Sequence, residues 1–319
     1  MPRYRQALPQ LAGGFFLTDG GLETTLIFHE RLELPDFAAF HLLSTPEGTA
    51  TLRRYFRTYA ELAQRFDAGL ILDSVTWRAS ADWGRKLGYT SASLAAANRA
   101  AVGLLEEVRD EFGTERTPVV ISGCVGPRGD GYVPDCAMSD EQAAAYHREQ
   151  IETLAGSAAD MICAMTMNYA EEAIGIARAA QHAAMPVAIS FTVETDGRLP
   201  TGQDLRSAIE QVDDTTSGYP AYYMVNCAHP THFEPVLSAG APWVERIRGL
   251  RANASRMSHA ELNDSPDLDI GDAAELGRDY VRLKGRLRRL NVMGGCCGTD
   301  HRHIEQIASA CRPLFPVTA

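Results

Sequence analysis

Short apolar runs recur along the whole chain, and each ends in polar or glycine-rich residues. Bounded runs of this kind are typical of buried β-strands. The eight runs are Phe15–Thr18, Ala68–Leu72, Pro118–Ile121, Asp160–Met165, Pro186–Phe191, Ala221–Val225, Arg246–Leu250 and Leu290–Met293. They predict eight strands with polar residues at the C-terminal end of each.

Helical patterns lie between the runs. Apolar residues recur at spacings of three and four over 52–66, 94–112 and 276–290, as in amphipathic helices. Strands that alternate with helices favour parallel strands and right-handed crossovers. Eight such units predict an α/β fold, a single (β/α)8 TIM barrel in which residues 1–319 form one domain. The site of such a barrel lies where the strands end, so the polar endings are the candidate site.

Two long polar segments are predicted as loops on the same face of the barrel. They are Gly129–Ser139, which follows the third run, and Ser258–Gly271, which follows the seventh. Neither segment is predicted to be a linker between domains, because their length and composition suit loops at an active face.

Composition and charge argue against several classes of protein, namely nucleic-acid-binding, membrane-spanning and secreted proteins. The chain has 319 residues, 45% of them hydrophobic, and a formal net charge of −11. No basic stripe is present to neutralise phosphates, which argues against a nucleic-acid partner. No apolar stretch approaches the roughly 20 residues of a membrane span, and the N-terminus lacks the apolar region of a secretory signal. We therefore expect a cytoplasmic protein without a membrane partner, for which a homo-oligomer is compatible with the sequence.

Three cysteines follow two of the predicted strands. Cys227 follows the sixth run, and the adjacent Cys296 and Cys297 follow the eighth. Three thiolates at a barrel mouth can hold a zinc ion and leave its fourth position open, which is where chemistry occurs. Neighbouring residues of a regular strand face opposite sides, so we expect nearby glycines to bend the backbone and turn both sulfurs inward. These glycines are Gly294, Gly295 and Gly298.

Three anionic sulfurs on zinc make a centre with net negative charge. Such a centre activates water poorly but suits a substrate thiol, which loses its proton on coordination and becomes a nucleophile for alkyl groups. Two other interpretations of the adjacent pair stay open: a disulfide between Cys296 and Cys297, or two buried thiols beside a glycine turn. Cys124, at a strand end, is the rival ligand, whereas Cys163 lies inside an apolar run and is expected in the core.

These residues resemble the zinc-dependent homocysteine S-methyltransferase family, which includes enzymes that use betaine or S-methylmethionine. Asp19-Gly20-Gly21 is similar to the family's opening motif, Asn226-Cys227 to its second landmark and Gly294–Thr299 to its third. The resemblance covers nearly the whole chain. It implies a (β/α)8 barrel and a Zn²⁺ cofactor held by Cys227, Cys296 and Cys297.

The resemblance also implies the reaction and its small-molecule partners. A methyl group passes from an onium donor to the thiolate of homocysteine, giving methionine. The donor is S-methylmethionine, S-adenosylmethionine or a betaine, and the sequence does not select among them. No catalytic residue is implied beyond the metal-activated substrate thiol.

Substrate-binding residues follow from the same resemblance. Asp19 is expected to pair with the amino group of the thiol amino acid, and the backbone N–H groups of Gly20 and Gly21 to bind its carboxylate. Trp77 occupies a place where betaine-using relatives carry an aromatic residue, whose face would attract a cationic donor. The alternative for Trp77 is packing under the barrel rim. Asn253 resembles the asparagine of the family's strand-seven motif.

One departure concerns the acceptor. Met165 stands where the family usually has a glutamate that contacts the homocysteine amine, and a methionine cannot pair with an ammonium group. Either Glu194 or another carboxylate supplies the charge, or the acceptor is a different thiol. The alternative function is therefore a zinc-thiolate methyltransferase or demethylase that uses another thiol acceptor or a methylated amine donor.

Two other classes of protein are compatible with a metal on this barrel. A metal-hydroxide hydrolase would need histidine or carboxylate ligands and a general base, whereas the strand ends supply cysteines. A non-catalytic zinc or redox protein would give the metal four protein ligands and no open position.

Overall fold

The computed structural model describes residues 1–265 and 267–316. Eight parallel strands pair in chain order, and β1 also pairs with β8, so the sheet closes into a barrel. The strands are β1 (Phe16–Leu17), β2 (Gly69–Asp73), β3 (Val119–Val125), β4 (Met161–Met167), β5 (Val187–Thr192), β6 (Tyr222–Asn226), β7 (Ile247–Ala252) and β8 (Val292–Gly295). The prediction of a (β/α)8 TIM barrel is confirmed.

Helices connect the strands and surround the barrel. They are α1 (Leu22–Thr24), α2 (Pro46–Arg65), α3 (Ala81–Lys86), α4 (Ser91–Phe112), α5 (Asp140–Ala155), α6 (Ala170–His182), α7 (Leu205–Thr216), α8 (Pro230–Phe233), α9 (His259–Asp264), α10 (Ala273–Arg286) and α11 (His301–Cys311). The three strongest helical patterns of the sequence correspond to α2, α4 and α10. Within the described residues, no helix combines the length and apolar character needed to cross a bilayer.

The strands are buried on both faces, as expected for parallel strands covered by helices. In β4, for example, Met161, Cys163 and Met165 belong to the apolar cluster that fills the barrel, whereas Ile162 and Ala164 belong to the larger cluster between the strands and the helices. This alternation explains why the strands appear in the sequence as nearly continuous apolar runs.

The N-terminal end of the barrel is closed by a buried carboxylate. Asp160, just before β4, lies 3.2 Å from Arg109 Nη1 and accepts backbone N–H groups of Tyr4 at 2.8 Å and Ile121 at 2.9 Å. Because these contacts tie the N-terminal segment across this end, the open mouth of the barrel is at the opposite end, where the cysteines lie.

The segment Ser258–Gly271 differs from its prediction as a loop, since it contains α9. Ser258 caps this helix: its side chain accepts the Glu261 N–H, and the Glu261 carboxylate accepts the Ser258 N–H. This reciprocal capping is a recognisable start of a helix. The capping gives residues 258–264, in the connection after β7, a defined helical shape.

Candidate metal centre and substrate site

Strand β7 holds Cys227 on one side and Cys296 on the other. The Cys227 N–H donates to the Arg251 carbonyl at 3.1 Å, and the Cys296 N–H donates to the Ala252 carbonyl at 2.8 Å. The ends of β6 and β8, which are not neighbours in the sheet, are thereby brought together across β7. The Sγ atoms of Cys227, Cys296 and Cys297 lie within 4.8 Å of one another.

The backbone that directs the sulfurs is irregular at Cys227 and at Gly298. Their φ angles are 52° and 77°, in the left-handed region. Gly294 and Gly295 remain in β8 without a positive φ, so the expectation that they also bend the chain is wrong. The chain turns only after the strand, at Cys297 and Gly298.

Gly294 and Gly295 provide space instead. A Cβ atom on Gly294 would collide with the Thr18 hydroxyl, and one on Gly295 would collide with the Thr299 hydroxyl. Thr18 follows β1, and Thr299 lies just before α11. The two glycines therefore allow these segments to approach the end of β8 closely, as glycine in a strand often does.

Cys227 and Cys296 form a disulfide in this structure, with 5.3 Å between their Cα atoms, whereas Cys297 is a free thiol. The alternative disulfide between the adjacent Cys296 and Cys297 is therefore not formed. Once reduced, the three sulfurs suit a metal, because thiolates about 2.3 Å from a tetrahedral zinc lie roughly 3.8 Å apart. Among residues 1–265 and 267–316, no other His, Cys, Asp or Glu joins the cluster.

The rival ligand Cys124 lies away from this cluster. It is buried in β3, where it pairs in register with Cys163 of β4, and both belong to the apolar filling of the barrel. Burial raises the pKa of each thiol well above its usual value. Both are therefore core thiols rather than ligands.

The protein does not by itself activate the Cys297 thiol. Cys297 is exposed as a residue, but desolvation of its thiol, followed by the Glu23 carboxylate, raises its pKa to about 11. The Tyr132 hydroxyl lies 3.8 Å from Sγ. A thiol with a raised pKa is protonated at neutral pH, so a thiolate here requires a cation such as zinc.

Arg251 is buried between two carboxylates below the cysteines. Its Nη2 lies 2.6 Å from Asp19 Oδ1, and its Nη1 lies 2.7 Å from Asp73 Oδ2. Tyr55 donates to Asp19 Oδ2 at 2.8 Å. Desolvation opposes the charge of Arg251, but the two carboxylates raise its pKa above the usual value. Burial raises the pKa of Asp73 in spite of this pairing.

The Asp19 carboxylate is thus already paired with a cation. Its role as partner of a substrate ammonium stays a prediction, and the ammonium would share the carboxylate with Arg251. The Gly21 N–H donates to the carbonyl and hydroxyl of Thr299, at 3.0 and 3.1 Å. The Gly20 N–H lies against the Tyr59 hydroxyl, so binding of a substrate carboxylate by these two N–H groups stays a prediction.

Trp77 follows β2, and a cation of the protein covers its ring. The Arg78 guanidinium lies 3.9 Å from the Trp77 ring centroid and 3.9 Å from that of Trp83. Trp77 Nε1 donates to the Met165 carbonyl at 3.1 Å. The predicted attraction between Trp77 and a cationic donor stays a prediction, and the donor would have only the opposite face of the ring.

Met165 lies in the barrel interior. Its side chain is buried among apolar neighbours that include Cys124 and Cys163. It therefore brings no charge to the mouth, and its predicted contact with substrate stays a prediction.

Glu194, the other predicted carboxylate, is paired with a histidine. Its Oε1 lies 3.0 Å from His259 Nδ1, and His259 Nε2 lies 2.5 Å from the Cys227 carbonyl. The Tyr132 ring packs on the His259 ring with 4.2 Å between centroids. Because Tyr132 belongs to the connection after β3 and His259 to the connection after β7, these two connections meet beside the metal centre.

Asn253 follows β7 and is buried. Its N–H donates to the Ala228 carbonyl at 3.1 Å, and its side-chain Oδ1 has no hydrogen-bond partner among the described residues. An unpartnered buried amide oxygen is costly, so this atom has the capacity to accept a hydrogen bond from a ligand. Its role in substrate binding stays a prediction.

The sequence interpretation missed three residues of this site. Arg251 lies one residue beyond the seventh apolar run, where a polar strand ending was the available signal. Tyr132 and His259 lie on the two long segments predicted at the active face. The sequence thus indicated that both segments lie at the active face, but it did not indicate that the side chains of Tyr132 and His259 contact each other.

A sequence model of the family described as homocysteine S-methyltransferase matches residues 16–311. The chain belongs to this family. Among members of the homocysteine S-methyltransferase family, a homocysteine S-methyltransferase of Zea mays is 27% identical over 94% of this chain and 90% of its own length. A betaine–homocysteine S-methyltransferase of Rattus norvegicus is 23% identical over 95% of this chain and 73% of its own length.

Solved structures related to the homocysteine S-methyltransferase family show the same fold. The homocysteine methyltransferase MmuM of Escherichia coli in its oxidized form matches with a TM-score of 0.72 and 21% identity, over 92% of this chain and 95% of that one. Its metallated form also matches with a TM-score of 0.72, at 19% identity, over 95% of this chain and 98% of that one.

Proposed function

We propose that this chain is a cytoplasmic, zinc-dependent thiol methyltransferase that moves a methyl group from an onium donor to homocysteine, giving methionine. The convergence of Cys227, Cys296 and Cys297 at the barrel mouth carries the proposal, since the cluster has no fourth protein ligand among the described residues. The names of the relatives support homocysteine as the acceptor. S-methylmethionine, S-adenosylmethionine and a betaine are the candidate donors.

Zinc held by the three sulfurs would lower the pKa of an incoming thiol and make it nucleophilic at neutral pH. The residues of the chain hold the metal ligands in place. Strand β7 holds the backbone of Cys227 and Cys296, and Arg251 ties the neighbouring strand ends together. A ligand set fixed in this way needs little reorganisation when a substrate enters. The proposal assigns no general base to the protein.

Met165 supports a second candidate within the same chemistry. Because its side chain lies among apolar neighbours and carries no charge, the chain lacks a carboxylate at that position of the acceptor site. A different thiol acceptor or a methylated amine donor would then be used. Turnover of homocysteine with S-methylmethionine, compared with a panel of thiols and quaternary amines, separates the two, and strong homocysteine turnover excludes the second.

The test combines metal analysis with a donor–acceptor screen on reduced protein. Wild type is expected to hold about one zinc per chain, and Cys297→Ser to lose most of the zinc and the transfer activity. Cys136→Ser is the matched control, because Cys136 is an exposed free cysteine outside the cluster. Full metal content and activity in Cys297→Ser would contradict the assignment.

X-ray absorption at the zinc edge provides an independent measurement of the ligands. The proposal requires three sulfurs and one light atom in the resting protein, and four sulfurs after homocysteine is added. Four sulfurs throughout would instead support a structural or sensing role for the metal.

A further inference from the structure

A buried guanidinium without a carboxylate partner lies at the end of strand β2. Arg78 is 4% exposed, and no carboxylate of the described residues lies within ion-pair distance of it. Its Nη1 donates to the Gly129 carbonyl at 2.9 Å, while its Nε is buried without a partner. Buried charges in proteins are almost always paired, so Arg78 has unused capacity to bind an anion.

The surroundings of Arg78 hold it in position without neutralising it. Trp77 and Trp83 each place a ring 3.9 Å from its guanidinium. Asp130 is the acidic residue with the strongest electrostatic effect on Arg78, but its carboxylate accepts the backbone N–H groups of Tyr132 at 2.8 Å and of the next residue at 3.1 Å. A planar, pre-positioned guanidinium of this kind suits a carboxylate ligand.

Glu23, in α1, carries a carboxyl group that forms no ion pair with any described residue. It is half-buried in α1, and no donor of another described residue lies within hydrogen-bond distance of its carboxylate. The short helix is attached to the cysteine turn, because Thr24 Oγ1 accepts the Gly298 N–H at 3.0 Å. Gly21 packs so closely on Cys296 that a Cβ would lie 2.6 Å from the Cys296 carbonyl oxygen. Glu23 is therefore fixed beside the proposed metal ligands.

Contacts connect the two groups around the metal centre. Glu23 adjoins Thr24, whose hydroxyl accepts the Gly298 N–H next to Cys297, and Arg78 adjoins and covers Trp77, whose ring packs against the segment of Tyr132. Glu23 and Arg78 form no ion pair, and burial has the largest effect on the pKa of each. Asp19 and Arg251 affect the pKa of Glu23 more than Arg78 does, and Asp130 affects that of Arg78 more than Glu23 does. Tyr132 links the metal centre to the Trp77 side of the mouth. Its hydroxyl is 3.8 Å from Cys297 Sγ, and a Cβ on the preceding Gly131 would lie 3.3 Å from the Trp77 ring.

We propose that Glu23 and Arg78 bind the zwitterionic end of an α-amino acid, with Glu23 accepting from its ammonium group and Arg78 donating to its carboxylate. This inference rests on the proposed function and names the recognition residues of that site. The carboxylates indicated by the sequence already have partners in the protein: Asp19 forms an ion pair with Arg251, and Glu194 lies 3.0 Å from His259 Nδ1. Homocysteine and S-methylmethionine both present such a zwitterion, so either the acceptor or the donor is the ligand.

The first test is calorimetric titration of methionine into reduced full-length protein. Methionine carries both charges, and its analogue 4-(methylthio)butanoate lacks the ammonium group. Glu23→Gln should weaken methionine binding about tenfold or more, as expected for a lost hydrogen bond to a charged group, and should bind the deaminated analogue as well as wild type does. Equal effects on both ligands, or no effect on either, would overturn the role of Glu23.

The second test concerns the carboxylate. Arg78→Met should weaken binding of methionine and of the deaminated analogue about tenfold or more, but leave binding of 3-(methylthio)propylamine unchanged. Similar losses for all three ligands would overturn the role of Arg78. If Arg78→Met does not fold, as judged by its thermal melting, the Glu23→Gln titrations decide the proposal, because the Glu23 carboxyl has no side-chain partner among the described residues whose loss would affect folding.

Matched controls are Glu33→Gln and Arg99→Met, which remove the same charges at exposed positions and should leave all affinities unchanged.

Steady-state kinetics identify which substrate binds at this site. Glu23→Gln should raise the KM of homocysteine if the acceptor binds here, or the KM of S-methylmethionine if the donor does. Neither KM rising would overturn the proposal. Methionine binding that depends on Glu23 in a protein without zinc or methyl transfer would refute the proposed function while retaining this site.

Discussion

Arg251, near the end of strand β7, forms an ion pair with Asp19, which follows strand β1, and 2.6 Å separates Arg251 Nη2 from Asp19 Oδ1. Strand β8 lies between these two strands, and Arg251 Nε donates to the carbonyl of Gly295, the last residue of β8, at 3.2 Å. The ion pair therefore holds the strand that presents Cys296 and Cys297 at the barrel mouth.

Replacing Arg251 by methionine should destabilise the fold strongly. The change leaves Asp19 and Asp73 as two buried carboxylates without a cation, and breaking a buried ion pair in this way costs about 3–5 kcal/mol. Urea unfolding of reduced, metal-free protein at pH 7 measures the free energy of unfolding. Asp19→Asn is the comparison and should cost less, because Arg251 retains Asp73 as a counter-charge. A stability of Arg251→Met equal to that of wild type would contradict a stabilising role for the ion pairs of Arg251 with Asp19 and Asp73.

Gly294→Ala should disrupt the end of strand β8, because the added Cβ collides with the Thr18 hydroxyl and approaches the Asp19 backbone carbonyl at 2.8 Å. Overpacking of this kind costs about 1–3 kcal/mol. Gly103→Ala is the matched control: its Cβ meets nothing within 4 Å in helix α4, so it should stabilise the helix by about 1 kcal/mol. Chemical denaturation measures both, and equal effects would show that close approach at Gly294 is unimportant.

Asp300 should contribute stability that depends on pH. It caps α11 by accepting the Arg302 N–H at 2.9 Å. Desolvation opposes its ionisation, but hydrogen bonds from His303 and Arg302 hold its pKa well below the usual range. The unfolded chain takes up this proton near pH 4, whereas the folded chain does so at lower pH. The stability is therefore present above about pH 4 and is lost as the pH falls towards the folded pKa.

Asp300→Asn tests this contribution, because asparagine still caps a helix but carries no charge. We expect wild type to be more stable by about 1–2 kcal/mol at pH 7 and pH 5, with the difference shrinking below pH 4. Urea unfolding at pH 7, 5, 4 and 3.5 measures it. A difference that stays constant down to pH 3.5 would show that the charge of Asp300 is not its source.

Tyr132 should connect the two segments at the mouth. Its ring packs on His259, and an aromatic pair of this kind contributes about 0.5–1.5 kcal/mol. Tyr132→Ala should therefore make residues 126–139 several-fold more susceptible to limited proteolysis, because local opening becomes more frequent. Tyr132→Phe keeps the ring and should be cleaved at the wild-type rate. Identical cleavage of all three proteins would mean that the contact does not restrain the segment.

The barrel and the position of its mouth could be predicted because they depend on local patterns. Each strand is an apolar run, each helix an apolar stripe, and parallel strands in a closed barrel place their C-terminal ends together. For this reason Cys227 and Cys296, far apart in the chain, were expected to converge. The helix α9 was missed because its capping residues lie in a polar segment without an apolar stripe.

The sequence by itself determined the barrel, the mouth and the three cysteines that meet there, because these follow from periodicity and chain order. Only the tertiary structure decided how the ionisable side chains are partnered: Asp19 lies against Arg251 and Glu194 against His259, while Arg78 and Glu23 form no ion pair with any residue that the structure describes. A side chain's partner depends on distances of a few ångströms between residues remote in the chain. Periodicity places a residue on a strand end but does not determine which neighbour its charge reaches.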